Sequence, residues 1–406
     1  SLTFFPLPFL KSFGYAGVSV VALAVVGAIF GLPPILAMMG KRINKGPVRK
    51  SAMKPTDDGR WADTARFVMR RPVPVVLLSL IALGIMAAPL QNISFSQGDS
   101  RMLPASNPAA IATALQTERF PGQTGTPIEI ITFDGANKVD ALNEYANRIS
   151  QVPGIVGVVP PQVIGEDVRI VAYQSMLPRT PESQKLIQDL RDVKAPAGTL
   201  IGGVAADYTD SQDGISRTLP WAFGWIAISV LLLVFVFTGS IILPIKAVLL
   251  NVLSLAATMG VLTWVFIDGN LQWLVGSFTV TGSLDTSIVI LIAVVVFGLS
   301  MDYELFLLSR IREEHLEGRS NVESVATGLQ RSARIITAAA VLLAVVFAAF
   351  VTSGVTSIKT MGFGVALAVL LDATLIRALL VPALMRLMGE RNWWAPKSLQ
   401  RFTLKH

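Results

Sequence analysis

There is no cysteine in the 406 residues, which excludes a disulfide framework, a thiolate metal site and a cysteine nucleophile. Charge is scarce too: Asp, Glu, Lys and Arg make up 15% of the chain against 52% apolar residues, and the mean hydropathy is +0.59. That balance lies outside the range of soluble globular chains and describes an integral membrane protein. The net charge of +7 does not indicate nucleic acid, because the basic residues are confined to particular loops.

Seven apolar stretches are long enough to span a bilayer: 18–39, 73–90, 221–237, 245–266, 288–308, 335–351 and 363–385. Residues 41–71 hold ten Lys or Arg against three Asp, which places that loop in the cytoplasm by the positive-inside rule. The loop after the fifth stretch (Arg310, Arg312, Arg319, Arg331, Arg334) and the tail (Arg391, Lys397, Arg401, Lys405) fall on the same side of an alternating path. Segment 91–219, with ten basic and fourteen acidic residues, then falls outside. The expected organisation is the end of a transmembrane repeat (1–40), a basic cytoplasmic linker (41–72), a transmembrane helix (73–90), an external domain (91–219), a five-helix bundle (220–388) and a cytoplasmic tail (389–406). The basic loops orient the helices; binding of lipid headgroups or partners by them is secondary.

The external segment reads as mixed α and β. IEIITFDG (128–135) alternates as a strand, and KVDALNEYANRISQV (138–152) has helical spacing. Two further strands (154–164 and 167–176), a helix opened by Thr180 with Glu182 in its first turn, and a last strand over 199–210 complete a β-α-β-β-α-β order, the split βαβ or ferredoxin-like pattern. One sheet with both helices on a single face is expected. The segment shows no metal-ligand cluster, phosphate-cradling glycine loop or nucleophile arrangement, so it reads as a conduit or binding wall.

The fifth stretch, Ile288–Leu308, contains two acids, Asp302 and Glu304. A carboxylate inside hydrocarbon costs several kcal/mol on insertion scales, so an intramembrane acid is a functional candidate by default. A carboxylate withdrawn from water holds its proton more tightly, which lets a residue so placed load on one side of a membrane and unload on the other. Gly298 and Phe306 lie on the Asp302 face, the glycine permitting close helix approach and the phenylalanine able to seal the cytosolic side. Adjacent helix positions face different ways, so Tyr303 is expected to point to another helix. Bundle glue is the competing role for Asp302. The last stretch holds Asp372 and Arg377, which an α-helix separates by about 140°. Arg377 is expected to snorkel to the cytoplasmic end and Asp372 to find another partner, as part of a structural ion network or in support of a relay. Ser300 and Thr337 are candidate bundle hydrogen bonds, and His315 is expected to be solvated in its loop.

A repeat is visible. Lys11, Gly14 and Pro34 have the spacing of Lys359, Gly362 and Pro382, in both sets 3 and then 20 residues. Positions equivalent to Asp372 and Arg377 are Ala24 and Ile29. Val73 lies 286 residues before Lys359 whereas ten residues precede Lys11, so the chain is expected to be the back half of a two-repeat protein, its first unit about 276 residues short.

GDSRMLPASNPAA (98–110), FGLSMDYELFLLSR (297–310), RIITAAAVLLAVVFAAFV (334–351) and LLDATLIRALLVPALM (370–385) resemble the MMPL (mycobacterial membrane protein large) transporters of the resistance-nodulation-division superfamily. The resemblance implies a seven-helix half of a twelve-helix, proton-driven exporter with periplasmic porter domains in the bacterial inner membrane. It also implies a proton relay of two facing Asp-Tyr pairs, of which this chain carries one, Asp302 and Tyr303; from their own positions in the spans, Phe306, Ser300, Asp372, Arg377 and Thr337 are the residues expected to support it. The opposite pair is not in the sequence, and a second copy of the chain would offer another such face. No cofactor is implied. The cargo favoured by the resemblance is an amphipathic envelope lipid or glycolipid such as a trehalose mycolate. Hopanoid or drug efflux by the same mechanism stays open, as does a non-transporting membrane scaffold or accessory half. Intramembrane aspartyl proteolysis is disfavoured, because the Tyr-Asp and Gly-x-Gly-Asp pair it requires is absent from the spans.

Overall fold

The computed structural model describes residues 2–40, 42, 59–120 and 126–396. Its longer helices are α1 (Pro8–Met39), α2 (Arg60–Arg70), α3 (Pro72–Asn92), α4 (Pro108–Arg119), α5 (Val139–Ser150), α6 (Pro181–Asp192), α7 (Val204–Thr238), α8 (Ile242–Ile267), α9 (Thr286–Leu316), α10 (Asn321–Phe350) and α11 (Thr356–Trp393). The strands are β1 (Phe95–Ser96), β2 (Ile128–Thr132), β3 (Ile155–Ile164), β4 (Asp167–Gln174), β5 (Thr199–Gly202) and β6 (Leu284–Asp285). Among the described residues, seven helices are long and apolar enough to cross a membrane: α1, α3 and α7 to α11. Each covers one of the seven apolar stretches, α10 to within one residue at its end, and runs beyond it at one end or both, because hydropathy marks only the part that hydrocarbon would surround. The exposed Trp221, Trp225 and Trp273 lie towards the end of the bundle that carries the β2–β5 domain, as amphipathic rings do at a membrane interface.

Strands β2 to β5 form one antiparallel sheet in the order β3-β4-β2-β5. Ile128 and Ile130 of β2 and Val168, Ile170 and Ala172 of β4 enter one core with Leu142, Tyr145 and Ile149 of α5 and Leu186, Ile187 and Leu190 of α6. Both helices therefore pack on the same face of the sheet. On the other face Arg169 grips Glu129 through two hydrogen bonds of 2.8 Å, and this guanidinium holds the Glu129 carboxyl below its ordinary range. Thr180 caps α6 by accepting from the Ser183 amide.

The last strand ends at Gly202 rather than at residue 210. Gly203 adopts φ +96°, and a Cβ there would lie 2.7 Å from the Pro127 carbonyl oxygen. The turn breaks the strand, and Val204 opens a helix whose Ala205, Ala206 and Tyr208 are buried. The same 35-residue helix continues through Pro220 to Thr238.

Within the basic linker, α2 is amphipathic and buries Ala62, Ala65, Val68 and Met69. Its first amides, of Trp61 and Ala62, donate to Gln330 Oε1 of α10, and Arg66 pairs with Glu323 at 3.1 Å. Lys45, Arg49, Lys50 and Lys54 of that linker, and Lys397, Arg401 and Lys405 of the tail, lie outside the described residues. Residues ahead of that part of the tail dock on the α7–α8 turn, where the Ile241 amide donates to the Trp394 carbonyl and Asn392 is fully buried. His315 is not merely solvated: its ring stacks on Trp393 with centroids 4.5 Å apart, and Nε2 lies 3.7 Å from Glu390.

The repeat has a structural counterpart. α1 is wound as a π helix over Gly27–Gly31 and α11 over Asp372–Leu380. Moved by the 348 residues that separate Lys11 from Lys359, the first segment falls inside the second.

α3 and α8 touch at Gly260, where a Cβ would lie 2.8 Å from Ala87 Cα. Backbone cannot yield as a flexible side-chain tip can. Gly260→Ala is expected to push the helices apart at a cost of about 1–3 kcal/mol, to be read as a lowered melting temperature of the purified protein in detergent. An unchanged melting temperature would contradict this packing.

Candidate functional site

α9 runs 31 residues without proline or a π segment, and its middle carries Ser300, Asp302, Tyr303 and Glu304. At 100° per residue these side chains spread around the helix and meet different neighbours. Ser300 and Glu304, one turn apart, are buried at 4% and 3% exposure. Asp302 points elsewhere and is exposed, as is Gly298 one turn before it, where a Cβ would meet nothing within 4 Å. The two share a bare helix face.

On the buried side the π winding of α11 changes the geometry expected for Asp372 and Arg377. In a π helix each amide bonds the fifth residue back, so side chains five apart come together rather than splaying. Arg377 consequently forms an ion pair with Asp372 inside its own helix. It does not snorkel: it is 3% exposed and Asp372 5%. Ser300 Oγ donates to Asp372 Oδ1 at 2.9 Å, and Arg377 Nη2 donates to the Ser300 carbonyl at 3.1 Å. The Arg377 guanidinium also lies 4.8 Å from the centre of the Tyr303 ring, a cation–π contact. Tyr303 thus has its neighbour within the chain, on α11.

α8 contributes a residue that sequence reasoning passed over. Lys246, 6% exposed, lies within Coulombic reach of Glu304, which in turn senses Asp372 and Arg377. Lys246 is the lone charge in Ile242–Ile267, and that isolation was the available signal. Two buried acids and two buried bases thus lie around α9: Asp372 and Arg377 pair, whereas Lys246 Nζ and Glu304 Oε1 are buried without a hydrogen-bond partner among the described residues. Asp302 forms no ion pair among the described residues.

Of the other predicted positions, Phe306 is half-buried one turn beyond Asp302, with the Arg310 guanidinium 5.8 Å from its ring centre. Thr337 is half-buried on α10 and is not among the partners of Asp372. No group of three or more His, Cys, Asp or Glu side chains suited to a metal is present among the described residues.

Two cavities follow one another along α7 and α9. The first, about 630 Å³, has a mixed lining, with Leu7 and Phe9 of the N-terminal segment beside Gln97, Arg179, Asp207 and Asp285. Further into the bundle, one of about 330 Å³ is lined by Leu219, Phe223, Leu255, Met259, Val294 and Phe297. Phe297 lies five residues before Asp302 on the same helix.

A family model, MMPL family, matches residues 101–403. A Streptomyces coelicolor protein named as a membrane protein, SCO6666, is 37% identical over 98% of this chain and 55% of its own length. The trehalose monomycolate exporter MmpL3 of Mycobacterium tuberculosis is 32% identical over 98% of this chain and 47% of its own length. The mycolic acid-containing lipids exporter MmpL11 of Mycolicibacterium smegmatis is 32% identical over 97% of this chain and 43% of its own length. The chain spans about half the length of these curated relatives.

Proposed function

We propose, for a chain that belongs to the MMPL family and is a multi-pass inner-membrane protein, that it takes part in proton-driven export of an amphipathic lipid or glycolipid. The observation that carries this reading is the contrast among the charges around α9. Glu304, Lys246, Asp372 and Arg377 are buried and formally balance, whereas Asp302 stands unpaired on a bare face. A carboxylate left to hydrocarbon costs several kcal/mol, so that face calls for a polar cover. A second Asp-Tyr pair, from a further part of the same polypeptide or from another copy of the chain, would supply it.

In this reading Asp302 takes up and releases the transported proton. Tyr303 is held beside it by the Arg377 guanidinium, which the Asp372 carboxylate and the Ser300 carbonyl fix in turn. Protonation removes the charge of Asp302 and with it the cost of facing an apolar neighbour, so loading and unloading favour different packings of α9. Phe306 shields the site from the basic end of the bundle, the cytoplasmic side in this topology.

The cargo class follows from the two cavities. A chamber of mixed lining with charged groups at the domain end, next to an apolar one within the bundle, suits a molecule with a hydrophilic head and an alkyl chain. The relatives named as exporters of trehalose monomycolate and of mycolic acid-containing lipids favour a cell-envelope lipid of that kind. The test reconstitutes a transport-competent polypeptide containing this chain into liposomes with an imposed pH gradient, and offers trehalose monomycolate or a phospholipid. Gradient-dependent movement of the glycolipid is expected. Movement that survives collapse of the gradient would refute proton coupling, and failure to move either lipid would refute lipid cargo.

A further inference from the structure

Where α3 ends, the chain enters the external domain through β1, and β1 pairs in parallel with β6, the last residues before α9. This contact was not legible in the sequence. It is dense: the Leu284 amide donates to the Ser94 carbonyl at 2.9 Å, Ser283 Oγ to Ser96 Oγ at 2.7 Å, and Thr286 Oγ1 to the Ser96 carbonyl at 3.0 Å. α7 joins in, with the Tyr208 hydroxyl donating to the Phe95 carbonyl and Gln212 Nε2 to Thr286 Oγ1, both at 2.9 Å.

At the centre is Asp285. Its Oδ1 caps α9 by accepting from the Ser287 and Ile288 amides, and its Oδ2 accepts from the Gly98 amide at 2.9 Å. Gly98 in turn is held through its carbonyl by Arg179 Nη1 of the external domain at 2.7 Å. Position 98 has no room for a side chain, because a Cβ would lie 2.7 Å from Asp285 Oδ2. Ser96, Ser283 and Thr286 are all buried. One carboxylate thus fastens the N-terminus of α9, the exit of α3 and the external domain together. Asp302 lies on the same unbroken helix, about 24 Å along its axis from Thr286.

We propose that Asp285 is a positioning residue, the pin of a joint with Gly98 that stays closed throughout transport and converts movement of the Asp302 helix into movement of the external domain. The proposal rests on the relay reading of Asp302. A helix free of proline and π segments behaves as a rod, and a rod acts on a neighbour only if its end is attached. The hydrogen bonds above are that attachment: the β1–β6 backbone pairing together with the short side chains of Ser96, Ser283, Asp285 and Thr286.

This chain brings no cysteine of its own to the test, and any cysteine elsewhere in the polypeptide is replaced by serine. In a transport-competent polypeptide containing this chain, S96C/S283C places two thiols where the hydroxyls are 2.7 Å apart, close enough to oxidise to a disulfide. Export by this variant is expected to be equal in the oxidised and the dithiothreitol-reduced states. Asp285→Ala is expected to abolish export, and oxidation of S96C/S283C in the Asp285→Ala background is expected to restore it, with reduction removing it again. A purely structural Asp285 would lose export only in step with folded protein and melting temperature, so both are measured beside export in each redox state; loss of export with them unchanged is expected. Should Asp285→Ala fail to fold, Gly98→Ala takes its place: export is expected to fall several-fold and to recover on oxidation. Loss of export on cross-linking otherwise unaltered protein would overturn the proposal, because the joint would then have to open, and so would full export by Asp285→Ala. Asp302→Asn, assayed in parallel, separates the two readings. If it abolishes export while Asp285→Ala does not, the relay stands and the joint falls; if it exports normally, the relay itself fails.

Discussion

Asp302→Asn is expected to bring gradient-driven lipid export down to the level seen without a gradient, while leaving membrane level, melting temperature and lipid binding near those of the unaltered protein. The amide keeps the size and hydrogen-bonding capacity of the carboxyl but cannot take up and release a proton in the working range. Asp302 is exposed on a bare face and makes no ion pair among the described residues, so the change breaks no salt bridge seen in the fold. An amide is also cheaper than a carboxylate to hold out of water. A residue acting only as bundle glue would therefore tolerate it. The measurement is export from proteoliposomes at equal reconstitution, with the pH gradient imposed and then collapsed. Export unchanged by the substitution would end the relay reading. Tyr303→Phe is expected to give a smaller loss, since the ring that lies against Arg377 survives and only the hydroxyl goes.

Arg377→Leu is expected to act in the opposite way, on stability first. It leaves the Asp372 carboxylate buried with Ser300 Oγ as its remaining hydrogen-bond partner. Breaking one side of a buried ion pair costs about 3–5 kcal/mol because a charge is stranded out of water. The melting temperature and the amount of folded protein in the membrane should both fall. The double variant Asp372→Leu/Arg377→Leu should recover much of that loss, since it removes both charges, yet it should still impair export because Tyr303 loses the guanidinium beneath its ring. A single variant as stable as the unaltered protein would contradict the pairing. A double variant with full export would remove Asp372 and Arg377 from the support of the relay.

These two expectations differ in how far they could be read from the sequence. That Asp302 is a candidate follows from finding it, with Glu304, as an acid in a stretch long enough to cross a bilayer. The pairing of Asp372 with Arg377 does not follow. An α-helix is the default for such a stretch, its period sets residues five apart on different faces, and nothing in LLDATLIRALL identifies the local π winding that brings them together. Lys246 shows a third situation. A lone lysine near the start of an apolar run is visible in the sequence, but its neighbour Glu304 is 58 positions away and becomes a neighbour only when α8 packs on α9.

The sequence by itself determined what depends on composition and local order. Seven apolar stretches set the number of helices, because burying a backbone in hydrocarbon leaves few alternatives. Alternation and helical spacing in 128–193 located the strands β2 to β4 and the helices α5 and α6 of the external domain, though not α4, because each pattern is a property of consecutive residues. Tertiary structure decided whatever depends on approach between distant segments or on a departure from the default backbone. It ended the last strand at Gly202, where the Pro127 carbonyl leaves position 203 no room for a Cβ, and it turned Tyr303 onto Arg377. It also buckled β1 to β6 across nearly 190 residues, because two-residue strands carry no periodic signal and gain their hydrogen bonds only where the folded bundle brings the end of α3 to the start of α9.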